Sequence, residues 1–119
     1  MDQQQLLFFL GIVALAAMTI IRILRKKGRK KLVAEKLAGG AKIVDVRTAG
    51  EFGSGHYPGA VNIPLDKLPN KMKKLGSKDS TIVVYCATGS RSRAAVSRIK
   101  AAGYNDVLNG GALSDLPRR

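Results

Sequence analysis

Residues 6–21 pass without a single charge, and their apolar side chains fall on every face of a helix instead of one stripe. Arg22 interrupts the run and Ile23 and Leu24 extend it. A membrane span needs about 20 residues, with a lower limit near 17. Residues 6–24 meet that length if Arg22 snorkels to the interface. The pattern then inverts: Arg22, Arg25, Lys26, Lys27, Arg29, Lys30 and Lys31 crowd the C-terminal flank. Residues 32–38 carry a narrow apolar stripe, Leu32, Val33 and Leu37, which ends at Gly39-Gly40. This piece either continues the anchor or forms the first helix of a following domain.

From residue 41 onward the apolar runs shorten. Strands are predicted at about 42–46, 60–63, 81–85 and 106–108. Pro64 stops the second of them. Near-helical spacing places Leu65, Leu68, Met72 and Leu75 on one face, with a turn first and a helical piece starting at Pro69. A helix is predicted from about Ser92 to Gly103, burying Ala94, Ala95, Val96, Ile99 and Ala102. Short apolar strands alternating with helices predict an α/β fold, a small parallel sheet covered on both faces. The division expected is an anchor with its basic segment over 1–31 and a domain over 32–119, of a size that leaves only a small core.

Charge refines this picture. The 119-residue chain has 21 Lys+Arg against 8 Asp+Glu, a net charge of +13. Residues 22–36 hold eight basic side chains and one acid, over half the excess, so the charge reads as a membrane flank and no nucleic-acid partner is expected. A signal peptide would carry its positive charge before the apolar run, and a buried core helix would not adjoin such a cluster. The expectation is therefore a single-pass anchor. The positive-inside rule puts the N-terminus outside and the domain in the cytoplasm. Anionic lipid is the expected partner of residues 22–31. One cysteine precludes an intrachain disulfide and suits a reducing compartment. With one histidine besides, a zinc site of the usual Cys/His kind lacks ligands, and no metal is expected.

That cysteine, Cys86, stands where strand 81–85 gives way to the loop Ala87-Thr88-Gly89-Ser90-Arg91-Ser92 and the helix behind it. The first amides of a helix have no partner within it. If the loop curls, the amides of residues 87–92 converge into an anion-binding nest. Nest, helix dipole and the Arg91 cation would all favour thiolate, the attacking form. Gly89 supplies positive φ or close backbone approach. A buried, inert structural cysteine is the competing reading.

Cys86-Ala87-Thr88-Gly89-Ser90-Arg91 resembles the Cys-x-x-Gly-x-Arg loop of single-domain rhodanese-like sulfurtransferases. Asp45-Val46-Arg47 with Glu51-Phe52 is similar to a second family motif. Gly55-His56-Tyr57-Pro58-Gly59-Ala60-Val61-Asn62-Ile63-Pro64 is similar to a third. Asn109-Gly110-Gly111 resembles the family's Leu-x-Gly-Gly, but the closing helix and its Trp do not follow. The resemblance covers residues 33–116. It implies the rhodanese-like sheet, and a Cys86 persulfide formed from a donor such as thiosulfate and passed to cyanide or a thiol. Residues 87–92 would hold the outer sulfur, and Arg91 the anionic donor. Arg93 and Arg98 are read as surface charge, with added positive potential around the mouth of the site as the alternative. No cofactor is implied. Related phosphatases carry five residues between Cys and Arg, against four here, which disfavours phosphate hydrolysis. A persulfide carrier serving a membrane protein is the alternative function. Asp45, Arg47 and Glu51 are expected to support structurally, with an Arg47–Glu51 local pair, and His56 to pack in a turn instead of acting as a base.

Overall fold

In the computed structural model, which describes residues 1–118, one helix dominates the outline. α1 (Gln3–Ala38) runs without a break from the apolar segment through the basic cluster to Gly39. At 1.5 Å per residue it is about 54 Å long, and residues 6–24 account for about 28 Å of that. Asp2 starts it with a capping box: its carboxylate accepts from the Gln5 amide at 2.7 Å, and the Gln5 side chain returns the bond at 3.1 Å. None of its side chains before Val33 is buried, and Phe8 is 73% exposed. Residues 32–38 are thus both a continuation of the apolar helix and the domain's first helix.

Behind α1 come β1 (Lys42–Asp45), α2 (Ala49–Gly53), β2 (Val61–Asn62), β3 (Thr81–Cys86), α3 (Ser90–Ala101) and β4 (Asp106–Ala112). The strands form one parallel sheet in the order β2-β1-β3-β4. Period-two alternation along β3 sends Ile82, Val84 and Cys86 to one face, where they pack with Ala95 and Ile99 of α3 and with Leu68 and Leu75. Val83 and Tyr85 go to the other face, against Val33 and Leu37 of α1. Both faces are covered, so β3 reads apolar from Ile82 onward, as a central parallel strand must.

Three elements differ from the sequence expectation. The segment after Pro64 forms two 3-10 turns, Leu65–Asn70 and Met72–Leu75, with Pro69 inside the first instead of starting an α-helix. Neither turn has a side-chain cap, and the burial of Leu68 and Leu75 fixes them in place. β2 is reduced to two residues. β4 runs on to Ala112, because an extra residue, Gly110, is accommodated between the pairs Val84–Asn109 and Tyr85–Gly111.

Gly110 lies where a Cβ would come within 2.9 Å of Leu116 Cδ2 and 3.0 Å of Val83 Cγ1. Gly110→Ala should therefore destabilise the domain by about 1–3 kcal/mol, the usual cost of overpacking. Urea denaturation followed by circular dichroism measures it, and an unchanged midpoint would show that the bulge can relax.

The direction of α1 matters for function. Lys36 pairs with Asp106 at 3.2 Å, at the start of β4, while Lys26 and Lys30 each lie 3.6 Å from Asp115, just past its end. α1 therefore runs antiparallel to β4, and its apolar part projects beyond the carboxyl edge of the sheet.

Candidate active site

Cys86 is the last residue of β3, so the strand delivers its side chain to that carboxyl edge, where open α/β sheets place ligands. Gly89, at φ +95°, reverses the chain and stands as the N-cap of α3. The reversal turns the amides inward. Gly89 N–H donates to Cys86 Sγ at 3.0 Å and Ser92 N–H at 3.4 Å. The thiol itself donates to Ser92 Oγ at 3.5 Å. Ser92 then passes its one proton to Asn109 Oδ1 at 2.7 Å or to Gly89 O at 3.0 Å. Burial alone would push the Cys86 thiol up. Once the sulfur ionises the Ser92 hydroxyl can turn its proton to it, and that bond, with the amides of Ser92, Thr88 and Gly89, outweighs burial and leaves the group below its ordinary value.

Nucleophilicity belongs to the deprotonated form, so reactivity should extend to lower pH than that of a free thiol and fall as pH drops through the lowered value. Alkylation of Cys86 by iodoacetamide should show a midpoint below the free-thiol value of about 8.5. Ser92→Ala should move the midpoint up, and an unmoved midpoint would remove Ser92 from the account.

Cys86 presents no surface to solvent. The sulfur lies under its own loop while sharing a core cluster with Val84 and Ala95. Both sequence readings thus describe part of it: the side chain is buried, and the amides are aimed at it.

Arg91, which the resemblance gives to the anionic donor, is engaged by a carboxylate in the structure. Its Nη1 and Nη2 donate to the two Glu51 carboxylate oxygens at 2.7 and 2.9 Å. This bidentate fork, with help from Thr48, holds the Glu51 carboxyl down at about 2. The expected local pair between Arg47 and Glu51 does not form. Arg47 instead donates through Nε and Nη2 to Asp45, the Nη2 bond being 2.7 Å, and Nη2 also reaches Gly55 O at 2.7 Å. Its guanidinium lies 5.7 Å from the Tyr85 ring centroid. Glu51 is claimed by Arg91 because α2 presents it to the catalytic loop, whereas Asp45 and Arg47 are both buried beneath.

His56 stacks on Phe52 at 3.7 Å between centroids and its Nδ1 lies 3.0 Å from Phe52 O, away from any bond to Cys86. Asn109 is the residue that sequence reasoning passed over. Its Oδ1 accepts from Ser92 and from Gly111 N–H at 2.8 Å, and its Nδ2 donates to Gly89 O at 3.2 Å. It thereby bolts the loop to β4. Its one signal in the sequence was its position at a strand end before Gly110-Gly111. Among the described residues no cluster of three or more His, Cys, Asp or Glu side chains could hold a metal.

Residues 29–113 match the Rhodanese-like domain family. A sulfurtransferase of Allochromatium vinosum is 37% identical over 67 residues, 56% of this chain and 62% of that protein's length. The Escherichia coli thiosulfate sulfurtransferase PspE is 34% identical over 74 residues, 61% of this chain and 71% of its own. Among solved structures, a rhodanese with anions from E. coli superimposes with a TM-score of 0.61 at 32% identity, covering 66% of this chain and 95% of that one. A human single-domain sulfurtransferase, TSTD1, gives 0.59 at 29% identity, covering 68% and 85%. With a cysteine cradled by its own loop at the edge of a four-stranded parallel sheet, and with these relatives, the chain belongs to the rhodanese-like family of sulfurtransferases.

Proposed function

We propose that the protein is a membrane-anchored sulfurtransferase that moves sulfane sulfur through a Cys86 persulfide. The observation that carries this reading is the pair of loop amides, Gly89 and Ser92, directed at one sulfur. In the first half-reaction the Cys86 thiolate attacks the outer sulfur of thiosulfate. A new S–S bond forms, the donor's S–S bond breaks, and sulfite leaves with the electron pair. The anionic charge now rests on the outer sulfur of the persulfide, where the amides of residues 87–92 act as an oxyanion hole does. Cyanide or a thiolate then takes that sulfur and returns Cys86 to thiolate. Because Sγ is enclosed, the loop must shift to admit the donor.

The membrane part of the proposal is supported by α1. Its apolar segment buries none of its side chains within the protein, and its length suits a bilayer. The basic cluster on its C-terminal flank favours a cytoplasmic domain, with Arg22, Arg25, Lys27 and Lys31 against anionic lipid. A persulfide carrier for a membrane protein is the second reading, favoured by the apolar segment leaving the domain at the active-site edge. The test is steady-state thiocyanate formation from thiosulfate and cyanide by the full chain in non-ionic detergent. A turnover enzyme should give parallel double-reciprocal lines, as one covalent intermediate requires. A persulfide that forms but is not discharged by cyanide would favour the carrier.

A further inference from the structure

A cleft of about 370 Å³ opens beside the catalytic loop, and one wall of it belongs to α1. Thr88, Gly89 and Ser90 of the loop line it together with Lys26, Arg29 and Arg93. Gly89, whose amide touches Cys86 Sγ, is part of that wall, so the cleft stands one residue layer from the sulfur. Among the described residues the only carboxylate lining it is Asp115. That group already accepts from Ala112 N–H at 2.9 Å and lies 3.6 Å from both Lys26 and Lys30. One acid thus serves several cations, and the cleft keeps a positive balance. The smaller cleft on the other flank of the loop, about 210 Å³, is the poorer place for an anion. Its cation, Arg91, is neutralised by Glu51, and Asp66 adds a negative charge.

Resting on the sulfurtransferase reading, we infer that Lys26 and Arg29 of α1, with Arg93 of α3, form the subsite that receives an anionic sulfur donor, a small dianion of the thiosulfate class. The anchor helix is then part of the active site and not only a tether. Lys26 and Arg29 lie within a turn or so of Leu24, so the donor enters from the side of the apolar segment, where headgroup phosphates offer the same chemistry. The subsite is assigned to the soluble dianion.

The test compares two alkylating agents of nearly equal size, anionic iodoacetate and neutral iodoacetamide, on Cys86 of the full chain in non-ionic detergent. Their rate ratio cancels changes in thiol ionisation and loop opening. Each removed charge at the mouth is worth on the order of threefold in a water-like dielectric, so Lys26→Gln/Arg29→Gln should lower the ratio about tenfold. Asp115→Asn, which keeps an acceptor for the Ala112 amide, should raise it about threefold. Both changes should fade in high salt. The rate of Cys86 persulfidation by thiosulfate should fall in parallel in the double variant. A ratio within twofold of wild type in the double variant overturns the subsite. The same ratio in zwitterionic and anionic nanodiscs separates the sources. A collapse in anionic lipid alone means headgroups hold the cleft and overturns the assignment, while an unchanged ratio supports it. A wild type that shows the charge effect but takes no sulfur from thiosulfate keeps the subsite and sinks the donor reaction instead.

Discussion

Cys86→Ser should abolish thiocyanate formation from thiosulfate and cyanide, with a loss of at least about a thousandfold, since no other thiol exists in the chain to carry the sulfur. A hydroxyl in the same place could still accept the Gly89 and Ser92 amides, so the fold should survive. Matching far-ultraviolet circular dichroism and urea midpoints for the two proteins would establish that. Residual turnover near the wild-type rate would mean that sulfur passes between bound donor and acceptor without a protein-bound intermediate. The loop amides would then bind substrate instead of stabilising a persulfide.

The second large effect concerns stability. Asp45 has no exposed surface, and its carboxylate takes the Arg47 backbone amide and the Arg47 guanidinium together. Asp45→Ala leaves a buried guanidinium without its anion, a change that typically costs about 3–5 kcal/mol. A small domain has only about 5–15 kcal/mol in total. The variant should therefore unfold at much lower urea and populate the unfolded state near physiological temperature. Replacing both partners together, in Asp45→Ala/Arg47→Met, should cost less than the single change, because no unpaired charge remains. If the two variants melt alike, burial of the charge is not what makes Asp45 matter. The cycle also separates this structural role from chemistry: refolded Asp45→Ala at low temperature should still alkylate at Cys86.

What could be read from the chain alone was local. The uniform apolarity of residues 6–24, the strand run into Cys86 and the interval from Cys86 to Arg91 each sit within a few turns of chain, so periodicity and spacing expose them. The pairs that finish the site were not local. Glu51 was read as Arg47's partner because the two are four residues apart, yet its fork closes on Arg91, 40 residues away. Only the packing of α2 beside the loop decides between those arginines. Asn109 looked like a strand-end residue before two glycines. Its bonds to Ser92 and Gly89 need β4 paired beside β3 and α3 packed on the Val107 face, which Asn109 shares by period-two alternation. The placement of Lys26 and Arg29 beside the active site was equally hidden. A run of basic residues after an apolar run predicts a lipid contact wherever it occurs. Only the unbroken helix, packed antiparallel to β4 through Val33 and Leu37, carries those side chains over the carboxyl edge.

The enclosure of Cys86 also bears on how the site works. A thiol without solvent contact is shielded from adventitious oxidation, and the amides that favour its ionisation lie in the same loop that covers it. Gly89 combines these roles. Its positive φ sets the loop's curl, its amide reaches Sγ, and a Cβ there would meet Gly111 Cα at 3.4 Å. Opening the loop and losing the Gly89 bond are therefore one event, and the donor's outer sulfur should inherit that amide on arrival.

The most direct measurement is the intact mass of the purified full chain after exposure to thiosulfate, before any acceptor is added. A persulfide on Cys86 adds one sulfur atom, about 32 Da, to the wild type and nothing to Cys86→Ser, and cyanide should remove the increment. A wild-type mass that stays unchanged with thiosulfate in excess, while Cys86 remains alkylatable, would contradict a sulfur-loaded cysteine as the centre of this protein's chemistry.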